Sequence, residues 1–162
     1  SLEIGQSKEN ANKFYYNSSS PYDWCISQND KLWNSGTEEN PQKTDYDPCP
    51  AGWRVPDGGN DGLWAKATGS SVYFYDYPYD KENCGMNFSN KFSSAGNVWY
   101  PAAGFIDSVS ALLSGVGSYG CYWTASAYGY AAYCLYFNES GSVVPADFNH
   151  RASAFSIRCV KE

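Results

Sequence analysis

Ala132-Tyr133-Cys134-Leu135-Tyr136-Phe137 alternates, and the alternation decides the fold class. Period two belongs to a half-buried strand, not to a helix. Tyr133, Leu135 and Phe137 share one face, and Ala132, Cys134 and Tyr136 share the other. The face with Leu135 and Phe137 is expected to meet the core, which leaves Cys134 and Tyr136 exposed or only loosely covered. On either side, residues 119–125 and 154–160 read as further strands, with Gly141 marking a turn after the middle one. In the last strand Phe155, Ile157 and Cys159 fall on one side, so Cys159 points inward, as suits a structural disulfide. Residues 98–106 have strand composition, but Pro101 makes them an edge or a bulge. Residues 72–79 put Tyr73, Tyr75, Tyr77 and Tyr79 on one side of a strand or extended loop. Residues 61–68 predict a short helix, with Asp61 as N-cap and Gly69 as C-cap. These elements define an α+β chain, mainly antiparallel sheet with few short helices and many loops.

Composition narrows the function. The chain has 162 residues, of which 18% are aromatic and only 17% charged. That size buries roughly two-thirds of its extended surface, enough for one core. So aromatic a chain offsets its ordering entropy and is not globally disordered. The net charge of −6 argues against binding a phosphate backbone, so no nucleic-acid partner is expected. No apolar run is long enough to span a membrane. A single histidine makes a multi-histidine metal site or a histidine-rich catalytic centre hard to build. Six cysteines without a CxxC pair suit an oxidising compartment, and hence an extracellular or cell-surface chain. The start at Ser1, with no apolar leader, implies a mature chain or an excised fragment with export signals upstream.

Residues 1–44 are polar and Asn/Ser-rich, with aromatic anchors at Phe14, Tyr15, Tyr16, Trp24 and Trp33. They show no helical period and read as a loop-rich extension that docks its rings onto a domain at 45–162. That domain opens with Asp47-Pro48-Cys49-Pro50-Ala51-Gly52-Trp53-Arg54-Val55-Pro56, whose prolines and glycine fix the backbone.

Read together, Asp47–Pro56, Trp99-Tyr-Pro-Ala-Ala-Gly104, Tyr122-Trp-Thr-Ala-Ser126, Tyr133-Cys-Leu-Tyr-Phe137 and Phe155-Ser-Ile-Arg-Cys-Val160 resemble the Fibrobacter succinogenes major paralogous domain. That family is abundant in exported proteins of Bacteroidetes, often at the end of fimbrillin-like or lipoprotein chains. The resemblance implies a C-type lectin-like fold, akin to the variable proteins of diversity-generating retroelements. It also implies a disulfide between Cys49 and Cys159, tying the first helix region to the last strand. Cys25, Cys84, Cys121 and Cys134 then allow three pairings, of which Cys25–Cys84 with Cys121–Cys134 is the one preferred. A rival origin for Cys121 and Cys134 is codon randomisation, with no structural role.

The candidate chemistry favours binding over catalysis. His150 sits in a turn-like stretch without a partner, so no catalytic residue, metal or cofactor is assigned. Asp57-Gly-Gly-Asn-Asp-Gly62 lacks the spacing of a calcium loop. The tyrosines between Tyr119 and Tyr136 offer rigid contact area with polar tips. The expected binding face is Tyr128, Tyr130, Cys134, Tyr136, Phe148, Asn149 and His150, the last three carried over it by a loop at 138–153. Its partner would be a protein or glycan on another cell or phage host. The alternative is a structural tip or capping subunit that packs against other pilus or tail subunits.

Overall fold

The computed structural model describes residues 3–10, 12–37, 39–74, 77–89 and 98–162. Its main sheet is the antiparallel meander β7 (Tyr119–Tyr128), β8 (Ala131–Asn138) and β9 (Val143–His150). A second antiparallel sheet holds β2 (Tyr79–Asp80), β3 (Gly85–Asn87) and β4 (Trp99–Pro101). Two smaller pairs are β5 (Phe105–Ile106) with β6 (Leu113–Ser114), and β1 (Trp53–Arg54) with β10 (Val160–Lys161). Two short helices, α1 (Ile4–Glu9) and α2 (Leu63–Thr68), complete the described elements. The class is α+β, largely antiparallel and loop-rich.

One disulfide staples it: Cys49 bonds to Cys159, 110 residues later. The preferred pairings for the other four cysteines are not formed; Cys25, Cys84, Cys121 and Cys134 are free thiols. Cys84 is exposed and Cys25 buried, and Cys121 and Cys134 lie diagonally across β7 and β8, opposite Tyr136 and Trp123 respectively.

Asp47 explains why its segment turns as it does. Its carboxylate accepts the backbone N–H of Cys49 at 2.8 Å and of Val55 at 2.9 Å, and the Lys43 ammonium at 2.7 Å. The turn so formed delivers β1 to β10, with Trp53 opposite Lys161. Helix α2 ends where expected, at Gly69 in the left-handed region, but Gly62 rather than Asp61 is its N-cap.

The core lies on the Leu135 and Phe137 face of the main sheet, as the alternation requires. Trp64, Met86, Phe88, Tyr100, Tyr122 and Val143 close over those two residues. Their rings meet edge-on, Phe88 with Tyr100 at 5.4 Å and Tyr100 with Tyr122 at 4.9 Å. Trp64 Nε1 donates to Tyr100 Oη at 3.0 Å, so neither polar tip is stranded by burial.

Several elements differ from the sequence reading, each for a physical reason. Residues 138–153 are not a loop but mostly strand β9. Pro145 and Ala146 fall in a register shift, between Tyr136 opposite Val144 and Cys134 opposite Asp147, where the missing proline N–H costs nothing. Of the four tyrosines expected on one side of residues 72–79, Tyr75 lies outside the described residues, and the other three do not share a side. Phe74, Tyr77 and Tyr79 pack on the core and Tyr73 is exposed, with the backbone tied to Val143 and Gly141. Residues 98–106 divide at Gly104, which takes φ +72°. Residues 154–160 pair only through single bridges, Ala154 to Ile106 and Ser156 to Tyr122, before β10. Residues 4–9 are helical, held by a reciprocal capping box between Glu3 and Gln6.

The second face of the sheet is covered, contrary to expectation. Along it Tyr136 meets Tyr119 (5.9 Å), Tyr119 meets Phe105 (6.4 Å), Phe105 meets Phe155 (5.9 Å) and Phe155 stacks on Trp123 (4.2 Å). Cys121 and Cys134, on the same face as this aromatic row, are buried.

Candidate functional site

Strands β7 and β8 are joined by the two-residue turn Gly129–Tyr130, and that end of the sheet carries the exposed rings. Tyr128 is 47% exposed, Tyr130 61% and Phe148 50%. The Tyr128 ring lies 4.5 Å from Phe148 and 5.0 Å from Tyr133, so Tyr128 and Phe148 are braced rather than free-standing. Register places them together: Tyr133 is opposite Phe148, and Tyr128 opposite Ala131, on the same face.

The other four expected residues differ from these in burial, face or cover, although His150, opposite Ala131, shares the face and the end of the sheet that carry Tyr128 and Phe148. Cys134 is 1% exposed and presents nothing to a ligand. Tyr136 lies on the opposite face, half-buried, its hydroxyl accepting from Asn138 Nδ2 at 3.0 Å. Asn149 is exposed but spends its amide oxygen on the His150 N–H at 2.8 Å. His150 is covered by Tyr22, stacked at 4.3 Å, and its Nδ1 lies 3.3 Å from Ser108 Oγ. Ser108 is buried, and His150 is half-buried between it and Tyr22. Burial pushes the Cys121 thiol up to about 12 and raises Cys134 further from reactivity, leaving neither as a nucleophile. The Asp57 carboxylate is occupied by Arg54 at 2.8 Å and Asn34 at 3.0 Å, so the glycine-rich stretch after it is a held turn.

Beside the same turn, on the second face of the sheet, a cleft of about 390 Å³ opens against the N-terminal segment. Its aromatic lining is Phe14, Tyr15, Trp24 and Trp33 from that segment, with Trp123 and Phe155 from the sheet side. The cleft exists because β7 bulges. Between Trp123 opposite Cys134 and Ala127 opposite Ala132, three residues face one. There Thr124 Oγ1 donates to Tyr133 O at 2.8 Å, Ala125 N donates to Pro56 O at 2.9 Å, and Gly58 N donates to Ser126 Oγ at 3.0 Å.

Arg151 holds the wall in place. Its guanidinium donates to Asp30 at 2.6 Å, to Gly129 O at 2.8 Å and to Ala131 O at 2.9 Å, with Asp23 at 3.7 Å. Gln28 Nε2 also donates to Gly129 O at 2.7 Å, and Ala152 N to Tyr22 O at 2.9 Å. Of the N-terminal rings expected to dock onto the domain, Phe14, Tyr15, Trp24 and Trp33 line this cleft. Their signal was the density of large aromatics in an otherwise polar segment.

No protein-family model, curated protein or solved structure matches the chain.

Proposed function

We propose that the chain is an exported, non-enzymatic ligand-binding domain that meets a protein or glycan through the rings at the β7–β8 end. The observation that carries this is the braced pair Tyr128 and Phe148 with Tyr130 beside it in the turn, all three exposed at one end of the main sheet. Large rigid rings with polar tips give contact area at little entropy cost, which is how binding surfaces are built. The Cys49–Cys159 bond supports an oxidising compartment and therefore export. The motif series quoted above supports membership of the Fibrobacter succinogenes major paralogous family and a C-type lectin-like fold. Buried high-pKa thiols and a serine–histidine contact whose serine is buried favour binding over turnover.

The test is capture of the purified domain on arrayed glycans and on immobilised collagen, fibronectin, laminin and mucin. Tyr128→Ala with Phe148→Ala is expected to abolish capture while leaving the melting temperature near that of the parent. Capture unchanged in that variant would remove this face from the reading.

A second reading is a structural subunit of a surface assembly. Val109, Leu112, Leu113 and Val116, all exposed on and beside the β5–β6 hairpin, favour a contact with a neighbouring domain there. Self-association lost on Leu112→Ser with Leu113→Ser would favour that role.

A further inference from the structure

The cleft behind Trp33 is a different surface from the exposed trio, and its chemistry specifies a ligand more narrowly. Four kinds of observation bear on it.

First, its lining is aromatic at depth and polar at the mouth. Trp123 is buried, with one ring face covered by the half-buried Phe155, planes 19° apart, so the floor is apolar. Asn29 and Asp30 stand exposed at the edge, the Asp30 side chain 60% so. A pocket of this size with an apolar floor and a few polar groups is the usual form of a small-ligand site.

Second, its buried cation is spent. Arg151 directs its donors to Asp30, Gly129 O and Ala131 O. Lys13, exposed in the lining, gives one bond to the neutral Asn10 amide and keeps its charge, but against a net charge of −6 over the chain a single exposed ammonium draws an anionic ligand weakly.

Third, hydrogen-bonding capacity remains at the mouth. Asn29 uses its amide oxygen for the Lys31 N–H, which leaves the amide nitrogen to donate. Asp30 receives Arg151 and Gln28 on one oxygen, which leaves the other to accept hydroxyl groups.

Fourth, the walls are fixed before any ligand arrives, by Arg151 and by the bulge contacts of Thr124 and Ser126. Preorganised walls lower the entropy cost of capture.

We infer that this cleft binds a neutral pyranose saccharide, its C–H face stacked on the aromatic lining and its hydroxyls bonded at the Asn29–Asp30 edge. The inference shares with the proposed function only the reading of the chain as a binding domain, and uses different residues.

The probes are cellobiose, maltose, lactose and N,N′-diacetylchitobiose, with 3′-sialyllactose as the anionic comparison and a Leu/Phe-rich hexapeptide as the apolar one. Binding is read by tryptophan fluorescence and by saturation-transfer NMR on the sugar. Saturable binding of at least one neutral disaccharide is expected, with 3′-sialyllactose and the hexapeptide weaker. Trp33→Ala and Phe14→Ala should each weaken it about tenfold, the worth of one stacked ring. Trp33→Phe should restore most of it. Phe14 is an exposed lining residue, so its variant separates lost stacking from lost folding, and thermal melts check both. No neutral disaccharide bound, preference for 3′-sialyllactose or the hexapeptide, or binding indifferent to both cleft variants would each overturn the inference. Tyr128→Ala with Phe148→Ala is the second arm. Saccharide binding that survives it, beside array capture that does not, assigns the two surfaces separately; array capture lost there with no saccharide bound retires the cleft alone.

Discussion

Arg151 Nη2 lies 2.6 Å from the Asp30 carboxylate, although 121 residues of chain separate them. The arginine side chain is nearly buried and the aspartate side chain mostly exposed, so the two ends of this pair are unequal. Arg151 also faces Asp23, whose Oδ2 is buried and accepts no hydrogen bond. Removing the guanidinium strands that carboxylate, whereas removing the Asp30 charge loses one partner at the surface. Arg151→Met is therefore expected to cost about 3–5 kcal/mol in urea unfolding. Asp30→Asn is expected to cost less than about 1 kcal/mol. Equal costs for the two would mean that the buried Asp23 contact contributes nothing.

The Cys49–Cys159 bond closes a loop with a sequence separation of 110 residues, and β1 pairs with β10 beside it. On the chain-entropy account a loop of that length stabilises by about 4–5 kcal/mol. The double variant Cys49→Ala with Cys159→Ala should lower the unfolding free energy by that order. It should also loosen Trp53–Arg54 first, seen as faster amide exchange there than in β8. Uniform exchange loss across the sheet would contradict a local role for the tie.

Much of this fold is written in short-range pattern. Leu135 and Phe137 are in the core because strand alternation with two apolar side chains leaves no other face to bury. Gly69 ends α2 because it is free to take the left-handed conformation. Strand β9 was illegible because its proline sits in a register shift, and only the partner strand defines a shift. Cys134 was misplaced for a related reason. Alternation gives its side, but that side also carries the contacts of Phe105 with Tyr119 and Phe155, which no local rule brings together. The exposed Tyr128 and Phe148 were legible as residue types and their contact was not, since it depends on the β8–β9 register. The cleft was beyond reach altogether, because it needs a bulge in β7 and a segment starting more than a hundred residues earlier.

The free thiols should separate by reactivity. Cys84 is exposed, whereas Cys121 and Cys134 are buried, with their thiols pushed up by desolvation and by the nearby Asp147 carboxylate. Since the thiolate is the reacting form, both are doubly protected. Iodoacetamide at pH 8 should label Cys84 first. Cys121 and Cys134 should label only at the rate of unfolding, as read by mass spectrometry of digested protein. Early labelling of Cys134 would show that the covered face opens in the native state.

Asp147 works against stability at neutral pH. It lies opposite Cys134 on the covered face, and burial raises its carboxyl above the usual range despite a bond from the Phe148 N–H. A carboxyl raised in the folded state favours folding below the unfolded value of about 3.9, and that advantage is lost as pH rises through the folded value. Asp30, Asp80 and Asp107 are opposite in sign. Their carboxyls are lowered, chiefly by bonds from Arg151, Asn83 and Ser110 respectively, so their contributions are present above the unfolded value and vanish in acid. Asp147→Asn should therefore stabilise the protein at pH 7 and confer no gain at pH 3. Urea midpoints at the two pH values measure this directly. A variant less stable than the parent at pH 7 would mean that the charged form of Asp147 holds a favourable contact that outweighs its burial.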